Sequence, residues 1–326
     1  MAAPSDVPAA QPASRTTKIA VVGAGAVGST LAFAALTRGS ARTIALLDVD
    51  RQKVDAEVLD LQHGLMFTSQ AQVIGSDDPA VCEGADVVVV TAGAKQEPGQ
   101  SRVDLAEATI GLMRTILPGL VEAAPDATYL MVTNPVDVVT YAALEFSGLP
   151  ASRVFGSGTV LDSSRLRFLI AEHTGVAVQN VHAYIAGEHG DSEVPLWSTA
   201  TIGGVPVQDW GSGGNRLDAE ARARIHERVV TAAYEIIAGK GATSLAVGLA
   251  VSRILEAVLN DEHRVLPVTS RLDGVHGLSD VCLSMPSVVG RAGVESVLAT
   301  PLSADEEQQL AASAETVRAA ARSLGL

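Results

Sequence analysis

The alternation of long apolar segments with helix-like segments in the first half of the chain most strongly constrains its fold. Strands are predicted at 18–23, 43–50, 85–92 and 127–133, and helices at 29–38, 51–64 and 102–123. The strands are apolar at consecutive positions, as in the four valines from Val87 to Val90, and not only at every second position. Strands of this kind are buried on both faces, as in parallel sheets covered by helices. The sequence therefore predicts an α/β fold with a doubly wound parallel sheet.

The pattern changes after about residue 156. Helices are predicted at 161–174, 218–237, 243–259 and 304–323, and strands at 178–185, 193–202, 265–270 and 281–289. We predict three regions: a disordered tail at 1–16, a dinucleotide-binding domain at 17–156, and an α+β substrate domain at 157–326. The helix predicted at 243–259 is expected to pack back on the first domain.

Charge and cysteine content narrow the functional classes. The 326 residues carry a formal net charge of −14, which disfavours binding to nucleic acid or to an anionic membrane. The N-terminal segment lacks the apolar core of a signal peptide, and no apolar segment has the length of a membrane span. The two cysteines, far apart in sequence, predict neither a disulfide framework nor a metal site. These features favour a cytoplasmic protein without a bound metal.

A glycine-rich motif predicts a dinucleotide cofactor. Gly23, Gly25 and Gly28 form a G-x-G-x-x-G between a predicted strand and a predicted helix. Such glycines allow the backbone to approach a pyrophosphate at the N-terminus of the helix. Asp48 ends the next strand, twenty residues after Gly28, where its carboxylate would accept hydrogen bonds from the ribose and repel a 2′-phosphate. The alternative is a tight strand-to-helix turn, but this context favours NAD.

Several polar residues could perform chemistry on a hydroxy acid. A hydride transfer requires a proton carrier, a carboxylate that orients it, and cations that bind and polarise the substrate. The candidates are His189 in a glycine-flanked turn, Asp162 and Arg165 three residues apart on one helix face, Arg102 after a Pro-Gly loop, and Asn134 at a strand end. Each also has an ordinary structural explanation, such as a local ion pair, a solvated arginine or a turn-forming Asn-Pro.

Taken together, the motifs resemble those of the lactate/malate dehydrogenase family over nearly the whole chain. The matching blocks are GAGAVG, LLDVD, DLQHG, TAGAKQEPGQSR, TNPVD, GSGTVLDSSRLR, GEHGDSEVP and KGATSLAVG. The resemblance implies a Rossmann-type NAD-binding domain and a C-terminal substrate domain. It implies that His189 exchanges the proton and that Asp162 orients the imidazole of His189. It also implies that Arg165 clamps the substrate carboxylate, and that Arg102 closes over the site and polarises the carbonyl. Further residues implied to contact the substrate or the cofactor are Asn134, Thr243, Val27, Lys53, Gly93, Ala94, Val132 and Ser157.

Gln96 predicts which hydroxy acid is used. It lies six residues before Arg102, where family members that act on malate carry an arginine for the second carboxylate of oxaloacetate. An uncharged glutamine would leave that carboxylate buried and unpaired, at a cost of several kcal/mol. The expected reaction is therefore the interconversion of (S)-lactate and NAD+ with pyruvate and NADH. A malate or broader 2-hydroxy acid dehydrogenase, and a non-catalytic NAD-binding sensor, are the alternatives.

Two further cationic residues suggest regulation. Arg167 lies two residues past Arg165 and so on another helix face, and His182 lies in a predicted strand. Both match positions of bacterial family members that are activated by fructose 1,6-bisphosphate at a subunit interface. The resemblance therefore implies activation by this sugar bisphosphate, stronger at acidic pH because histidine gains charge there. It also implies a homotetramer built on two-fold axes.

Overall fold

The computed structural model describes residues 17–94, 102–211 and 215–326, without the side chain of Arg102. The helices are α1 (Ala26–Arg38), α2 (Arg51–His63), α3 (Arg102–Ala123), α4 (Val136–Ser147), α5 (Val160–Thr174), α6 (Ala219–Lys240), α7 (Leu245–Leu259) and α8 (Ala304–Ser323). The strands are β1 (Lys18–Val22), β2 (Thr43–Leu47), β3 (Gln72–Ser76), β4 (Val87–Val90), β5 (Thr128–Met131), β6 (Val154–Gly156), β7 (Val181–His182), β8 (Ile185–Gly187), β9 (Glu193–Pro195), β10 (Thr201–Ile202), β11 (Val205–Pro206), β12 (Arg264–Val275), β13 (Leu278–Gly290) and β14 (Gly293–Val297).

The larger of two sheets runs through both halves of the chain, and β11, β10 and β7 form a separate three-stranded sheet. Its order is β3-β2-β1-β4-β5-β6-β12-β13-β8-β9, with β14 also paired to β13. The strands from β3 to β6 are parallel, and β12 joins β6 in the antiparallel sense. The predicted parallel α/β sheet is confirmed, and its antiparallel continuation belongs to the second half of the chain.

The two faces of the parallel strands are buried in separate cores. Val87 and Val89 of β4 point into a core that includes residues of α1, α2 and α7. Val88 and Val90 point into the opposite core, which includes residues of α3, α4 and α8. Consecutive valines are therefore all buried because each face of the strand has its own helical layer.

Helix α7 packs against α1, as expected for the helix predicted at 243–259. The two helices approach closely at Gly248, where an added Cβ would lie 2.8 Å from Thr30 Cγ2. Arg38 at the end of α1 also pairs with Glu256 of α7, with Nη2 2.7 Å from Oε2. A helix from the second half of the chain thus completes the core of the first half.

Short elements account for most differences from the sequence predictions. Strands β3, β6, β11 and β14 and helix α4 were not predicted. Strands β6 and β11 have three and two residues, β3 and β14 have polar and glycine positions, and α4 begins with β-branched residues that favour strands. The strands predicted at 178–185 and 193–202 are each interrupted. A 3₁₀ turn at Val178–Asn180 precedes β7, and β9 ends at Pro195. Within the described ranges, no helix is long and apolar enough to cross a membrane.

Candidate active site

The residues predicted to bind the cofactor gather at one edge of the sheet. They lie at or just beyond the carboxyl ends of β1, β2, β4, β5 and β6, or in the first turns of α1 and α2; they are Gly23, Gly25, Val27, Gly28, Asp48, Lys53, Gly93, Ala94, Val132, Asn134 and Ser157. Ligands of open α/β sheets bind at this edge. The cofactor contacts of the individual residues remain predictions.

The glycine turn fits a pyrophosphate. Gly23 has a φ of +102°, and a Cβ there would lie 2.8 Å from Ala92 N, while a Cβ on Gly28 would lie 1.9 Å from Gly23 O. Gly25 is the N-cap of α1 and provides no side-chain cap, and a Cβ there would meet no atom of the described residues within 4 Å. Two glycines thus allow the tight turn, and the third leaves open space in front of the helix N-terminus, where an anion is stabilised.

Asp48 is fixed beside this turn. Its Oδ2 accepts hydrogen bonds from Ala24 N at 2.7 Å and from Lys53 Nζ at 3.2 Å, and its Oδ1 accepts from Asp50 N at 3.1 Å. Burial alone would raise the pKa of Asp48, but the two N–H groups and the Lys53 ammonium hold it below its usual value. The carboxylate therefore stays ionised next to the glycine turn, as recognition of ribose hydroxyls requires.

The loops after β4 and β5 approach each other closely. A Cβ on Gly93 would lie 2.6 Å from Thr133 Cγ2, and Thr133 Oγ1 donates to Ala92 O at 2.7 Å. Thr133 precedes Asn134, which joins Pro135 through a cis peptide bond. Asn134 therefore lies in the loop after β5, directly beside the point where it meets the loop after β4.

His189, Asp162 and Arg165 form one connected group. His189 lies in the turn between β8 and β9, and its Nδ1 is 2.6 Å from Asp162 Oδ2. Arg165 donates from Nη1 to Asp162 Oδ1 at 2.7 Å. Three of the four side chains predicted to carry the chemistry are therefore brought together by α5 and a single turn.

The electrostatics of this group favour a charged histidine. Burial disfavours the imidazolium, but the Asp162 carboxylate and its hydrogen bond raise the pKa of His189 to about 9. Burial also opposes ionisation of Asp162, which is 2% exposed, yet the charges of His189 and Arg165 hold its pKa below its usual range. The pair is thus an imidazolium–carboxylate pair at neutral pH.

Two residues that the sequence analysis missed hold the backbone of the His189 turn. Ser313 Oγ of α8 accepts from Glu188 N at 2.8 Å, and Asp137 Oδ2 of α4 accepts from His189 N at 2.7 Å. Asp137 ends the TNPVD block that contains Asn134, so its place in the first turn after Asn-Pro was an available signal. No comparable signal marks Ser313 within its helix.

Arg165 and Thr243 meet at a cavity of about 640 Å³ between α5, α6 and the start of α7. Other lining residues include Arg228, Glu235 and Lys240 of α6. The structure thus places Thr243 on the same cavity as Arg165, and the contact of Thr243 with the substrate stays a prediction. Gln96 and the side chain of Arg102 lie outside the described residues, so their predicted roles stay predictions.

Arg167 and His182 line a second cavity, of about 710 Å³. Arg167 Nε donates to Ala183 O at 2.8 Å, and its guanidinium carbon lies 4.8 Å from the centre of the Tyr184 ring. Arg253 and Arg264 also line this cavity. The structure therefore brings the two predicted effector residues to one basic concave surface.

Comparison with known proteins gives a consistent result. A family model for the lactate/malate dehydrogenase NAD-binding domain matches residues 17–156, and one for the α/β C-terminal domain of the same family matches residues 159–323. The chain is 60% identical to an L-lactate dehydrogenase of Bifidobacterium animalis subsp. lactis over 95% of this chain and 98% of that protein. It is 47% identical to one from a Synechococcus strain, over 92% and 97%.

A solved structure shares the fold. The ligand-bound minor L-lactate dehydrogenase of Enterococcus mundtii has a TM-score of 0.91 and 37% identity, covering 94% of this chain and 98% of that chain. The mostly parallel sheet and its helical layers agree with these matches. The chain belongs to the lactate/malate dehydrogenase family and is an NAD-dependent oxidoreductase.

Proposed function

We propose that this chain is an L-lactate dehydrogenase that interconverts (S)-lactate and NAD+ with pyruvate, NADH and a proton. The observation that carries the proposal is the 2.6 Å contact between His189 Nδ1 and Asp162 Oδ2, in a group that also contains Arg165. Relatives that match nearly the whole chain are named L-lactate dehydrogenases, which supports the same assignment.

His189 is the proton carrier in this proposal. Its Nδ1–H donates to Asp162, so Nε2 is the nitrogen that exchanges a proton with the substrate oxygen. NAD, when bound at the glycine turn, supplies the acceptor for the hydride from the substrate carbon. In lactate oxidation, the hydroxyl proton goes to Nε2 as the C–H bond breaks; in pyruvate reduction, the imidazolium returns that proton to the carbonyl oxygen.

Arg165 binds the substrate carboxylate. One of its nitrogens pairs with Asp162, and its planar guanidinium leaves further N–H groups for a bidentate contact at the cavity it shares with Thr243. Asn134 donates to the substrate from the β5 loop, and Arg102 polarises the carbonyl; these two assignments rest on the family resemblance.

Pyruvate is the preferred keto acid in this proposal because Gln96 carries no charge for a second carboxylate. The test is NADH consumption, followed by absorbance, with pyruvate or oxaloacetate as substrate. We expect kcat/KM to be higher for pyruvate, and Gln96→Arg to shift the preference toward oxaloacetate. Equal or reversed preference in the native protein would favour the malate or broader 2-hydroxy acid alternative.

The same assay addresses a non-catalytic NAD-binding role. His189, Asp162 and Arg165 are all present and in contact, which a binding protein does not require. A flat absorbance trace with both keto acids, from protein that binds NADH, would support the sensor and contradict the proposal.

Activation by fructose 1,6-bisphosphate is a second part of the proposal. It is supported by Arg167 and His182 lining one cavity with Arg253 and Arg264, on a chain whose net charge is −14. Such a cluster suits an anionic bisphosphate. We further propose that two subunits share this site in a homotetramer.

A cytoplasmic location is also proposed, supported by the free, buried thiols of Cys82 and Cys282.

The effector is tested by the pyruvate concentration at half-maximal rate, with and without fructose 1,6-bisphosphate at two pH values. We expect the effector to lower this concentration, more strongly at acidic pH, and Arg167→Gln to remove the response. Arg224→Gln is the control, because Arg224 pairs with Glu220 on the exposed face of α6. No response at either pH in the native protein would contradict the effector site. Sedimentation velocity tests the tetramer separately.

A further inference from the structure

Asp137 is a buried carboxyl with both oxygens committed to hydrogen bonds. It is 3% exposed, its Oδ2 accepts from His189 N at 2.7 Å, and its Oδ1 accepts from Thr269 Oγ1 at 2.5 Å. Thr269 Oγ1 lies 3.1 Å from Ser284 Oγ, and both of these residues are fully buried. A chain of buried polar groups therefore connects β13 and β12, through α4, to the main chain of His189.

The charge of Asp137 is costly at this place. Burial raises its pKa to about 6, although the hydrogen bonds from Thr269 and His189 N–H oppose that rise. The group is therefore ionised at neutral pH in a site where a neutral acceptor would avoid the cost of desolvation. A purely structural link to the N–H group does not require an ionised side chain.

The neighbouring residue shows that a neutral acceptor can hold this turn. Ser313 Oγ accepts the N–H of Glu188, the residue immediately before His189, at 2.8 Å. Of two consecutive N–H groups, only that of His189 is held by a carboxylate. The difference suggests that the negative charge acts on the histidine.

We propose that Asp137 is a positioning residue for the proton exchange: its buried carboxylate fixes the main chain of His189 and places a second negative charge, besides that of Asp162, near the imidazolium. The inference rests on the proposed role of His189 as proton carrier. The charged and titratable groups around His189 within the described ranges are Asp162 and Arg165 of α5, Asp137 of α4, Glu188 and Asp191 of its own turn, Glu193 of β9 and His226 of α6.

The test is the titration of His189 by NMR in Asp137→Asn. Asparagine is nearly isosteric and keeps an oxygen that can accept from His189 N–H, but it has no charge. We expect the midpoint of the imidazole titration to fall by on the order of one pH unit. The alkaline limit of pyruvate reduction should fall equally, with a higher KM for pyruvate at pH 8. His189→Asn identifies the signal among the seven histidines.

Ser313→Ala is the matched control. It removes the hydrogen bond to the adjacent N–H group without changing the charge, so the His189 titration should keep its midpoint. A His189 midpoint in Asp137→Asn equal to that of the native protein would overturn the inference. An equal shift in both variants would also overturn it, because loosening of the turn would then suffice.

If Asp137→Asn does not fold, Thr269→Val tests whether the charge of Asp137 acts on His189. The valine keeps the Asp137 charge but removes one donor to it, so the pKa of Asp137 should rise. Protonation of Asp137 should appear as a second inflection in the titration curve of the His189 signal, on the acidic side. In Thr269→Val this inflection should lie at higher pH than in the native protein, and an unmoved or absent inflection would overturn the inference. The NMR titration does not require catalysis. A native protein that failed to reduce pyruvate would therefore contradict the proposed function, and the effect of Asp137 on the His189 titration could still be measured.

Discussion

At the scale of single residues, His189 favours one direction of the reaction at neutral pH. Asp162 and Asp137 raise its pKa to about 9 against the effect of burial, so the imidazolium predominates below that pH. In the proposed mechanism, reduction of pyruvate requires the imidazolium of His189, whereas oxidation of lactate requires its neutral ring.

We expect kcat/KM for pyruvate to be nearly constant from pH 7 to 8 and to fall as the pH rises through about 9. The corresponding value for lactate should rise over the same interval. Initial rates in both directions between pH 7 and 10 check this. A pyruvate profile that already falls near pH 6.5 would show that the carboxylates do not hold the proton on His189.

Asp162→Asn should lower kcat/KM for pyruvate by about 10²- to 10⁴-fold, because the amide neither stabilises the imidazolium nor holds it through a charged hydrogen bond. Glu315→Gln on α8 is the control, since Glu315 is exposed and pairs with Arg318 at the surface. Stopped-flow rates with saturating NADH measure both variants. A loss of less than tenfold in Asp162→Asn would contradict the assigned role.

The sequence predicted the members of the reactive group but not what holds them. Asp162 and Arg165 could be paired in advance, because residues three apart share a helix face. The pairing of Asp162 with His189 was implied only by the family resemblance, since the two residues lie 27 positions apart in sequence. The Ser313 contact spans 125 residues and joins two elements through a backbone N–H, for which no side-chain pattern exists.

At the scale of secondary-structure elements, the close contact between α1 and α7 depends on Gly248, which has no side chain. A Cβ on Gly248 would lie 2.8 Å from Thr30 Cγ2 and 3.2 Å from Leu31 N, so the backbones of the two helices meet there.

Apolar segments of four or more residues, such as β4, were predicted correctly. Three-residue strands such as β6 were not, since so short a segment has no detectable period.

Gly248→Ala should lower the free energy of unfolding by about 1–3 kcal/mol, because the added methyl group forces the helices apart. Gly239→Ala on α6 is the matched control, since a Cβ there meets no atom within 4 Å among the residues that the structure describes. That change should be neutral or raise the free energy of unfolding by about 0.5–1 kcal/mol through helix propensity. Urea denaturation measures both, and equal effects would contradict the close approach.

At the scale of the whole molecule, buried titratable groups make stability depend on pH. Burial raises the pKa of Glu193 to about 8, and its Oε1 has no hydrogen-bond partner in the part of the chain that the structure describes, lying 3.8 Å from His226 Nε2. A group with a higher pKa in the folded state contributes stability below its unfolded value, and this is lost as the pH rises through the folded value. For Glu193 the window runs from about 4.5 to 8, and for His189 from about 6.5 to 9.

We therefore expect the free energy of unfolding to fall by on the order of a few kcal/mol between pH 6.5 and 9. Glu193→Gln imitates the neutral acid, so its stability should exceed that of the native protein at pH 9 and decline less steeply. Glu220→Gln, at an exposed position of α6, should follow the native curve. Chemical denaturation at several pH values measures these slopes, and parallel curves for Glu193→Gln and the native protein would contradict the prediction.

The placement of α7 also has a consequence for synthesis on the ribosome. The core that it shares with α1 and α2 cannot close until residue 259 has left the exit tunnel, more than 100 residues after β6. Until then the nascent sheet exposes the apolar surface that α7 later covers, and such surface favours aggregation and chaperone binding. The N-terminal half of this enzyme therefore cannot complete its core during its own synthesis, and it folds fully only after α7 in the second half has been translated.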